Sequence, residues 1–128
     1  MLHSPLTAAR RKIPSMISYD TITLTGVTDT DYSKTAVGVL KYLKVTYTNG
    51  DAGGDVVISD DQTGLIFMTL TNKNAAVAGA VKAAVVDVVG AAIANVYTDL
   101  PVVSRFKAVS AEQAANTSIL IQLWWDTE

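Results

Sequence analysis

The residue types that most often carry out chemistry in proteins are scarce in this 128-residue chain. It contains one histidine, His3, near the start of the sequence, and no cysteine. Nucleophile-and-base catalysis needs a well-held base that titrates near neutral pH, usually a histidine. Zinc and iron sites need clusters of histidine or cysteine. We therefore expect no catalytic, cofactor-binding or metal-binding residues, and we interpret the chain as a non-enzymatic structural or binding protein.

Carboxylates are the remaining candidates for chemistry. Asp51, Asp55, Asp60 and Asp61 lie in two turn-like segments, and such loops can bind Ca²⁺ through oxygen ligands. Their spacing does not match an EF-hand, and aspartate in turns commonly accepts hydrogen bonds from its own backbone. A pair of carboxylates for glycoside hydrolysis is formally possible, but nothing in the sequence places two of them in one cleft. Ordinary turn chemistry is the favoured interpretation.

Two adjacent tryptophans stand near the end of the sequence. Neighbouring residues of a β-strand point to opposite faces, so Trp124 and Trp125 cannot both face a core. Trp125 has the same parity as Ile119, Ile121 and Leu123, which predicts a core position for it. We predict that Trp124 is an interface anchor, because tryptophan is enriched at binding hot spots. A strand buried on both faces, or sugar stacking on Trp124, are the alternatives.

The first sixteen residues predict an extended N-terminal arm. This segment, residues 1–16, holds Arg10, Arg11 and Lys12 and no acid, whereas the remainder has seven basic against twelve acidic residues. We expect these cations and the apolar Ile13 to contact a neighbouring subunit; a solvated tail is the alternative. Three charges are too few to predict a specific nucleic-acid partner.

Alternating apolar and polar residues between polar turns predict β-strands over most of the remaining chain. The predicted strands are Ile17–Leu24, Val37–Thr48, Asp55–Ser59, Leu65–Thr71, Val102–Ser110 and Ser118–Asp126. In the longest of them, Val39 and Leu43 fall on the apolar face with Lys41 as its one interruption, and Leu40 falls on the opposite face. The polar segment 29–33 predicts a loop.

The segment Ala75–Ala94 is ambiguous, because its alanines favour helix whereas its glycines and frequent valines do not. We interpret it as irregular and extended. The surrounding apolar stretch Asn74–Val96 is interrupted by Lys82 and Asp87, so we expect no transmembrane helix and no membrane partner. The resulting prediction is an all-β chain: an arm over 1–16, and over 17–128 one antiparallel β-sandwich or barrel.

The stretch from Val37 to the C-terminus, about two-thirds of the chain, resembles small virion proteins of tailed bacteriophages. The resemblance is carried by the closing strand and by four segments, Val39–Tyr47, Asp55–Asp60, Gly90–Ile93 and Leu100–Val109. The resemblance implies a β-rich structural protein with no catalytic residues, located in the virion at the capsid surface and assembled in the host cytoplasm. It implies a decoration or cement role with the major capsid protein as partner.

Composition adds a second expected partner. Hydrophobic residues make up 49% and charged residues only 17% of the chain, so a lone monomer would expose much apolar surface. We therefore expect a homo-oligomer, with copies of the chain binding one another. Two other functions stay open: a neck or tail component of the virion, and a carbohydrate- or ligand-binding β-sandwich.

Overall fold

Antiparallel β-strands build the chain in the computed structural model, which describes residues 16–80, 82–86 and 88–127. These residues form eleven strands and no helix, which confirms the all-β prediction. The strands are β1 (Ile17–Thr25), β2 (Asp29–Thr35), β3 (Gly38–Thr48), β4 (Asp55–Asp60), β5 (Ile66–Leu70), β6 (Val77–Gly79), β7 (Ala83–Val86), β8 (Ala92–Thr98), β9 (Leu100–Val102), β10 (Arg105–Ala111) and β11 (Ser118–Asp126). The arm predicted for residues 1–16 lies, apart from Met16, outside the described residues.

Two sheets enclose one core. Sheet A has the strand order β1-β11-β3-β6, with β9 also pairing with β3, and sheet B has the order β2-β10-β4-β5. Both contribute to the same cluster of buried side chains, and an aromatic contact joins them, since the rings of Phe106 on β10 and Trp125 on β11 lie 5.5 Å apart. At one side, the backbone N–H of Lys34 on β2 donates to Asp20 on β1 at 2.7 Å.

Strand β11 follows the predicted alternation closely. Ile119, Ile121 and Leu123 are fully buried and Trp125 is 1% exposed, whereas Trp124 lies on the outer face, half-buried. The strand pairs with β1 on one side and β3 on the other, so it forms the centre of sheet A. Each large apolar side chain buried here contributes about 1.5–3 kcal/mol relative to exposure.

The prediction of a loop over residues 29–33 is wrong. Strand β2 pairs with β10 through Tyr32 and its neighbours. Only Ser33 of this strand is buried, so the segment has no apolar alternation from which a strand could be inferred.

The prediction of one strand over Val102–Ser110 is also wrong. The chain leaves sheet A after Val102, at the end of β9, and enters sheet B at Arg105, at the start of β10.

A β-bulge corrects the predicted faces of β3. Trp124 pairs with Tyr42 but Trp125 pairs with Leu40, so Lys41 is the extra residue. Such an insertion reverses the inward–outward alternation beyond it. Leu40 is therefore buried together with Leu43, whereas the sequence pattern placed them on opposite faces. The lysine that interrupts the apolar pattern marks the bulge.

Where the structure describes it, the ambiguous segment Ala75–Ala94 is irregular and extended, in agreement with our interpretation. It contributes β6 and β7 and the start of β8, and β7 pairs with β8 in a two-stranded sheet of its own. Over the described parts of the chain, no helix has the length and apolar character needed to cross a membrane.

A buried carboxylate ties two turns together. Asp60, at the end of β4, is 0% exposed. One of its oxygens accepts the backbone N–H groups of Val103 and Ser104 at 2.7 and 3.1 Å. The other accepts the N–H of Gln62 at 3.2 Å and both the N–H and the hydroxyl of Thr63, at 2.7 and 2.9 Å. The five donors fasten the β4–β5 turn to the connection between β9 and β10.

These hydrogen bonds determine the direction in which the pKa of the Asp60 carboxyl is shifted. Burial alone raises the pKa of Asp60, but the donors from Thr63, Val103 and Ser104 outweigh burial and hold the pKa below its ordinary value of 3.8. A carboxyl with a lowered folded-state pKa stabilises the fold above its unfolded pKa. That contribution is lost as the pH falls through the folded-state value.

Replacing this carboxylate should therefore destabilise the fold in a pH-dependent way. We expect Asp60→Asn to lower the free energy of unfolding by about 2–4 kcal/mol near neutral pH, because its amide would face buried donors. The difference from the natural chain should shrink toward pH 2, measured by urea denaturation. The control is Asp61→Asn, which removes a partly exposed ion pair with Arg105 and should cost about 1 kcal/mol or less. A pH-independent loss for Asp60→Asn would contradict this role.

A glycine at the start of β3 permits close contact with the end of β11. Gly38 has a φ of +145°, and a Cβ built there would lie 1.7 Å from the backbone oxygen of Asp126. We expect Gly38→Ala to cost roughly 3 kcal/mol or more in thermal unfolding, because backbone must move. Gly64→Ala is the matched control, since Gly64 has a φ of +75° but open space around it, and its cost should be only about 1–2 kcal/mol. Equal losses would disprove the steric argument.

Candidate functional site

The outer face of sheet A, opposite the core, carries a row of three aromatic side chains. Strand pairing places Tyr19 of β1 beside Trp124 of β11, and Trp124 beside Tyr42 of β3. The ring centroids of Tyr19 and Trp124 lie 5.0 Å apart, and those of Tyr42 and Trp124 lie 5.4 Å apart. We call Tyr19, Trp124 and Tyr42 the aromatic row.

The rings of the aromatic row contact each other at an angle. The planes of Tyr19 and Trp124 are inclined by 43°, and Tyr42 meets Trp124 edge-on at 68°. Both geometries are favourable for aromatic pairs, worth about 0.5–1.5 kcal/mol beyond area burial. Tyr19 is 42% and Tyr42 40% exposed, and Trp124 between them is half-buried. The row is thus held in place by its own contacts while its upper surface faces solvent.

Polar side chains border the row on one side. The next cross-strand set consists of Thr21, Gln122 and Lys44, and the Gln122 amide donates to the Tyr19 hydroxyl at 3.0 Å. On the other side, Ile17 is 58% exposed next to the row. The aromatic row is thus bordered by polar side chains on one side and by an exposed apolar side chain on the other, and an apolar centre next to polar residues is common in protein-binding surfaces. The row itself offers ring faces, an indole N–H and phenol groups, which suit binding rather than bond breaking.

The structure describes some of the predicted site residues and not others. Trp125 is in the core, as predicted, and Trp124 is not, so the alternative of a strand buried on both faces is excluded. The predicted interface residues Arg10, Arg11, Lys12 and Ile13 lie outside the described residues. Their role stays a prediction.

Sequence reasoning missed the two tyrosines of the row. Tyr19 and Tyr42 each lie on a predicted strand, at outward positions. What joins them to Trp124 is the register of three strands distant in sequence. Tyr42 pairs with Trp124 in the same regular register as Leu43–Thr48, next to the bulge at Lys41. Their common outward position was the one available signal, and it does not indicate which strands are neighbours.

The acidic turn residues considered for calcium are engaged by the protein itself. Asp51 accepts the N–H of Gly53 at 2.8 Å, and Asp55 accepts the N–H of Asn72 at 3.0 Å. Asp60 accepts hydrogen bonds from the β4–β5 turn and from the connection between β9 and β10, and Asp61 forms an ion pair with Arg105 at 2.9 Å. No group of three or more potential metal ligands occurs among the residues that the structure describes. These contacts support the interpretation of ordinary turn chemistry.

Comparison with known proteins gives little further information. No protein-family model matches the chain, and no curated protein matches it. The crystal structure of FLHE is similar over 88% of this chain and 98% of that chain, with 14% sequence identity and a TM-score of 0.46. A similarity at that level supports no conclusion about fold or function.

Proposed function

We propose that this chain is a non-enzymatic structural protein of a tailed-phage virion, a decoration or cement protein on the capsid surface. Its partners are the major capsid protein and further copies of itself. The observation that carries the proposal is the aromatic row, an exposed apolar surface fixed on three hydrogen-bonded strands. The resemblance to phage virion proteins supplies the biological setting.

The geometry of the row favours a protein as its ligand. Tryptophan and tyrosine dominate binding hot spots because they bury much area while few rotatable bonds must be fixed. Here the strand pairing and the ring contacts hold all three side chains before binding, which lowers the entropy lost on association. A partner side chain can pack against the exposed faces of the rings.

The start of the described chain lies beside the row. Thr127 donates its backbone N–H to the carbonyl of Met16 at 3.0 Å, and Ile17 is two residues before Tyr19. The basic arm is therefore attached at the same end of sheet A as the row. A row contact and an arm contact to one surface would strengthen each other through effective concentration, and repetition over a symmetric shell would multiply them.

A second candidate function is carbohydrate or small-ligand binding on the same face. It is favoured by the amide of Gln122, which contacts Tyr19, and by Lys44, which pairs with Gln122 across the strands, since sugars are bound by stacking together with hydrogen bonds. The inclination of the rings counts against it, because the three rings form no common plane for sugar rings to stack on. Glycan-array binding lost in Trp124→Ala would favour this candidate.

Copy number in purified native particles tests the virion proposal directly. Quantitative mass spectrometry against the major capsid protein should give a ratio comparable to that protein for decoration or cement. A small ratio would favour the neck or tail alternative. Absence from particles would overturn the virion proposal.

Removing the central ring should weaken docking and preserve the fold. We expect Trp124→Ala to weaken binding to particles assembled without the protein by roughly 30-fold or more, the effect of losing a hot-spot side chain. Leu120→Ala is the control, because Leu120 lies on the same strand and is 36% exposed on the same outer face. Particle co-sedimentation measures binding, and circular dichroism verifies folding. Undiminished binding by folded Trp124→Ala would remove the row from the interface.

Removing the arm tests the second contact. A chain lacking residues 1–15 should keep the melting temperature of the full chain, because sheets A and B and the core between them are built from residues 17–126. Its particle binding should become weaker and less sensitive to salt, since three cations are lost. The control variant replaces Arg10, Arg11 and Lys12 with glutamine and keeps the length of the arm. Equal binding by all three chains would show that the arm makes no contact.

A further inference from the structure

One arginine on the outer face of sheet B is held in place by two neighbouring side chains. The guanidinium carbon of Arg105, on β10, lies 3.9 Å from the ring centroid of Tyr32 on β2. Its Nε donates to the carboxylate of Asp61, which follows β4, at 2.9 Å. Strands β2 and β4 flank β10 in the sheet, so the guanidinium is fixed from both sides. The Arg105 side chain nevertheless remains 44% exposed.

These two contacts leave most of the hydrogen-bond donors of Arg105 unused. A guanidinium has five N–H groups in one plane, and the one on Nε is taken by Asp61. The side chain donates to no other residue in the part of the chain that the structure describes. The four N–H groups on Nη1 and Nη2 can therefore bind an acceptor from outside. A carboxylate accepts two such groups side by side.

Lys107 adds a second cation to the same face. Side chains of a strand alternate, and Phe106 and Ala108 are fully buried, so Arg105 and Lys107 both point outward. Two residues apart on a strand, their Cα atoms lie roughly 6.5–7 Å from each other. Lys107 also pairs with Tyr32 across the sheet. We call Arg105, Lys107, Tyr32 and Asp61 the basic patch.

The charges around the basic patch favour a single carboxylate as its ligand. Asp31 and Asp60, on the neighbouring strands, pair with Ala108 and Phe106 and so share the inward side of the sheet with them. On the outer face of the described chain, the two cations of the patch therefore stand against Asp61 alone, which leaves a net charge of +1. One carboxylate neutralises that charge, whereas a phosphate dianion would exceed it.

We propose that the basic patch is a second protein-docking surface, at which Arg105 binds a carboxylate side chain of an acidic partner segment. The partner's carboxylate accepts hydrogen bonds from the Nη groups of Arg105, and Lys107 contributes a second positive charge beside it. This surface is additional to the aromatic row, because the row lies on sheet A and the patch on sheet B. The domain then presents two surfaces of different chemistry on its two outer faces.

The neighbours of Arg105 prepare it for such a ligand. Arginine and tyrosine are both enriched at binding hot spots, and a guanidinium that is already fixed loses less conformational entropy when a partner binds. Tyr32 supports the guanidinium through a cation–π contact, and Asp61 directs its Nε edge toward the protein. A lysine at this position would have neither the planar fork nor the contact with the ring.

Nuclear magnetic resonance of the full chain tests the proposal with a defined probe. The peptide acetyl-Gly-Glu-Gly-amide, titrated at low ionic strength, should shift the Nε–H resonance of Arg105 and the backbone amide resonance of Lys107 in a saturable way. The same peptide with glutamine in place of glutamate should shift neither resonance, because it lacks the carboxylate. Added salt should weaken binding of the glutamate peptide, since the contact is between exposed charges.

Substitution of the arginine should weaken this binding while the fold is kept. Arg105→Lys retains the charge but loses the fork and the ring contact, so binding of the glutamate peptide should weaken roughly 5-fold, the upper end of what an exposed ion pair contributes. Lys107→Gln should weaken it by a smaller factor. The control is Lys73→Gln, because Lys73 is an exposed cation between β5 and β6; it should bind like the natural chain. The dispersion of the amide resonances verifies folding of each variant.

Several results would overturn the proposal: no shift with the glutamate peptide, equal shifts with the glutamine peptide, or unchanged binding in folded Arg105→Lys and Lys107→Gln. Tighter binding of inorganic phosphate than of the glutamate peptide would also overturn it, in favour of a phosphate ligand. The proposed function fails separately. Absence of the protein from purified particles would refute the virion role and leave carboxylate binding at the basic patch intact.

Discussion

The alternation of strand β11 is the constraint on which the structure depends. Its inward residues, ending with Trp125, form the centre of the core, and its two neighbours β1 and β3 are aligned by hydrogen bonds to it. Trp125 contacts Phe106, which in turn contacts Phe67, so a chain of aromatic rings crosses from sheet A into sheet B. The same backbone geometry directs Trp124 outward. Burying one tryptophan therefore fixes the position of the other.

This coupling explains how the fold presents an ordered aromatic surface on its outer face. The aromatic row lies on three strands whose inward side chains form part of the core. The hydrogen bonds between these strands therefore also fix the positions of its rings. The hairpin of β7 and β8 contrasts with it, because among the described residues these two strands pair only with each other, outside both sheets. Two kinds of exposed apolar surface thus occur in one domain, one held by the fold and one that lacks its support.

Much of the fold could be predicted from the sequence where one face of a strand is apolar. Strands β1, β3 and β11 were predicted within about a residue of their bounds for that reason. Strand β2 could not be predicted, because an edge strand that buries only Ser33 has no apolar periodicity. The bulge at Lys41 also escaped prediction, since a single extra residue is specified by pairing with a distant strand. Tyr19 and Tyr42 join Trp124 only through that pairing, so the row could not be assembled from local patterns.

The pairing of β1 with β11 also governs when the domain can fold. Tyr19 and Gln122, whose side chains bond across this pair, lie 103 positions apart in the chain. Sheet A cannot close on the ribosome until the chain through Asp126 has emerged, so closure of this sheet must follow the synthesis of β11. Contacts between such distant segments slow folding, because a large loop must be closed before they form. During that interval the apolar strands are exposed at local concentrations that favour aggregation, and expression at reduced temperature or with chaperones is the practical consequence.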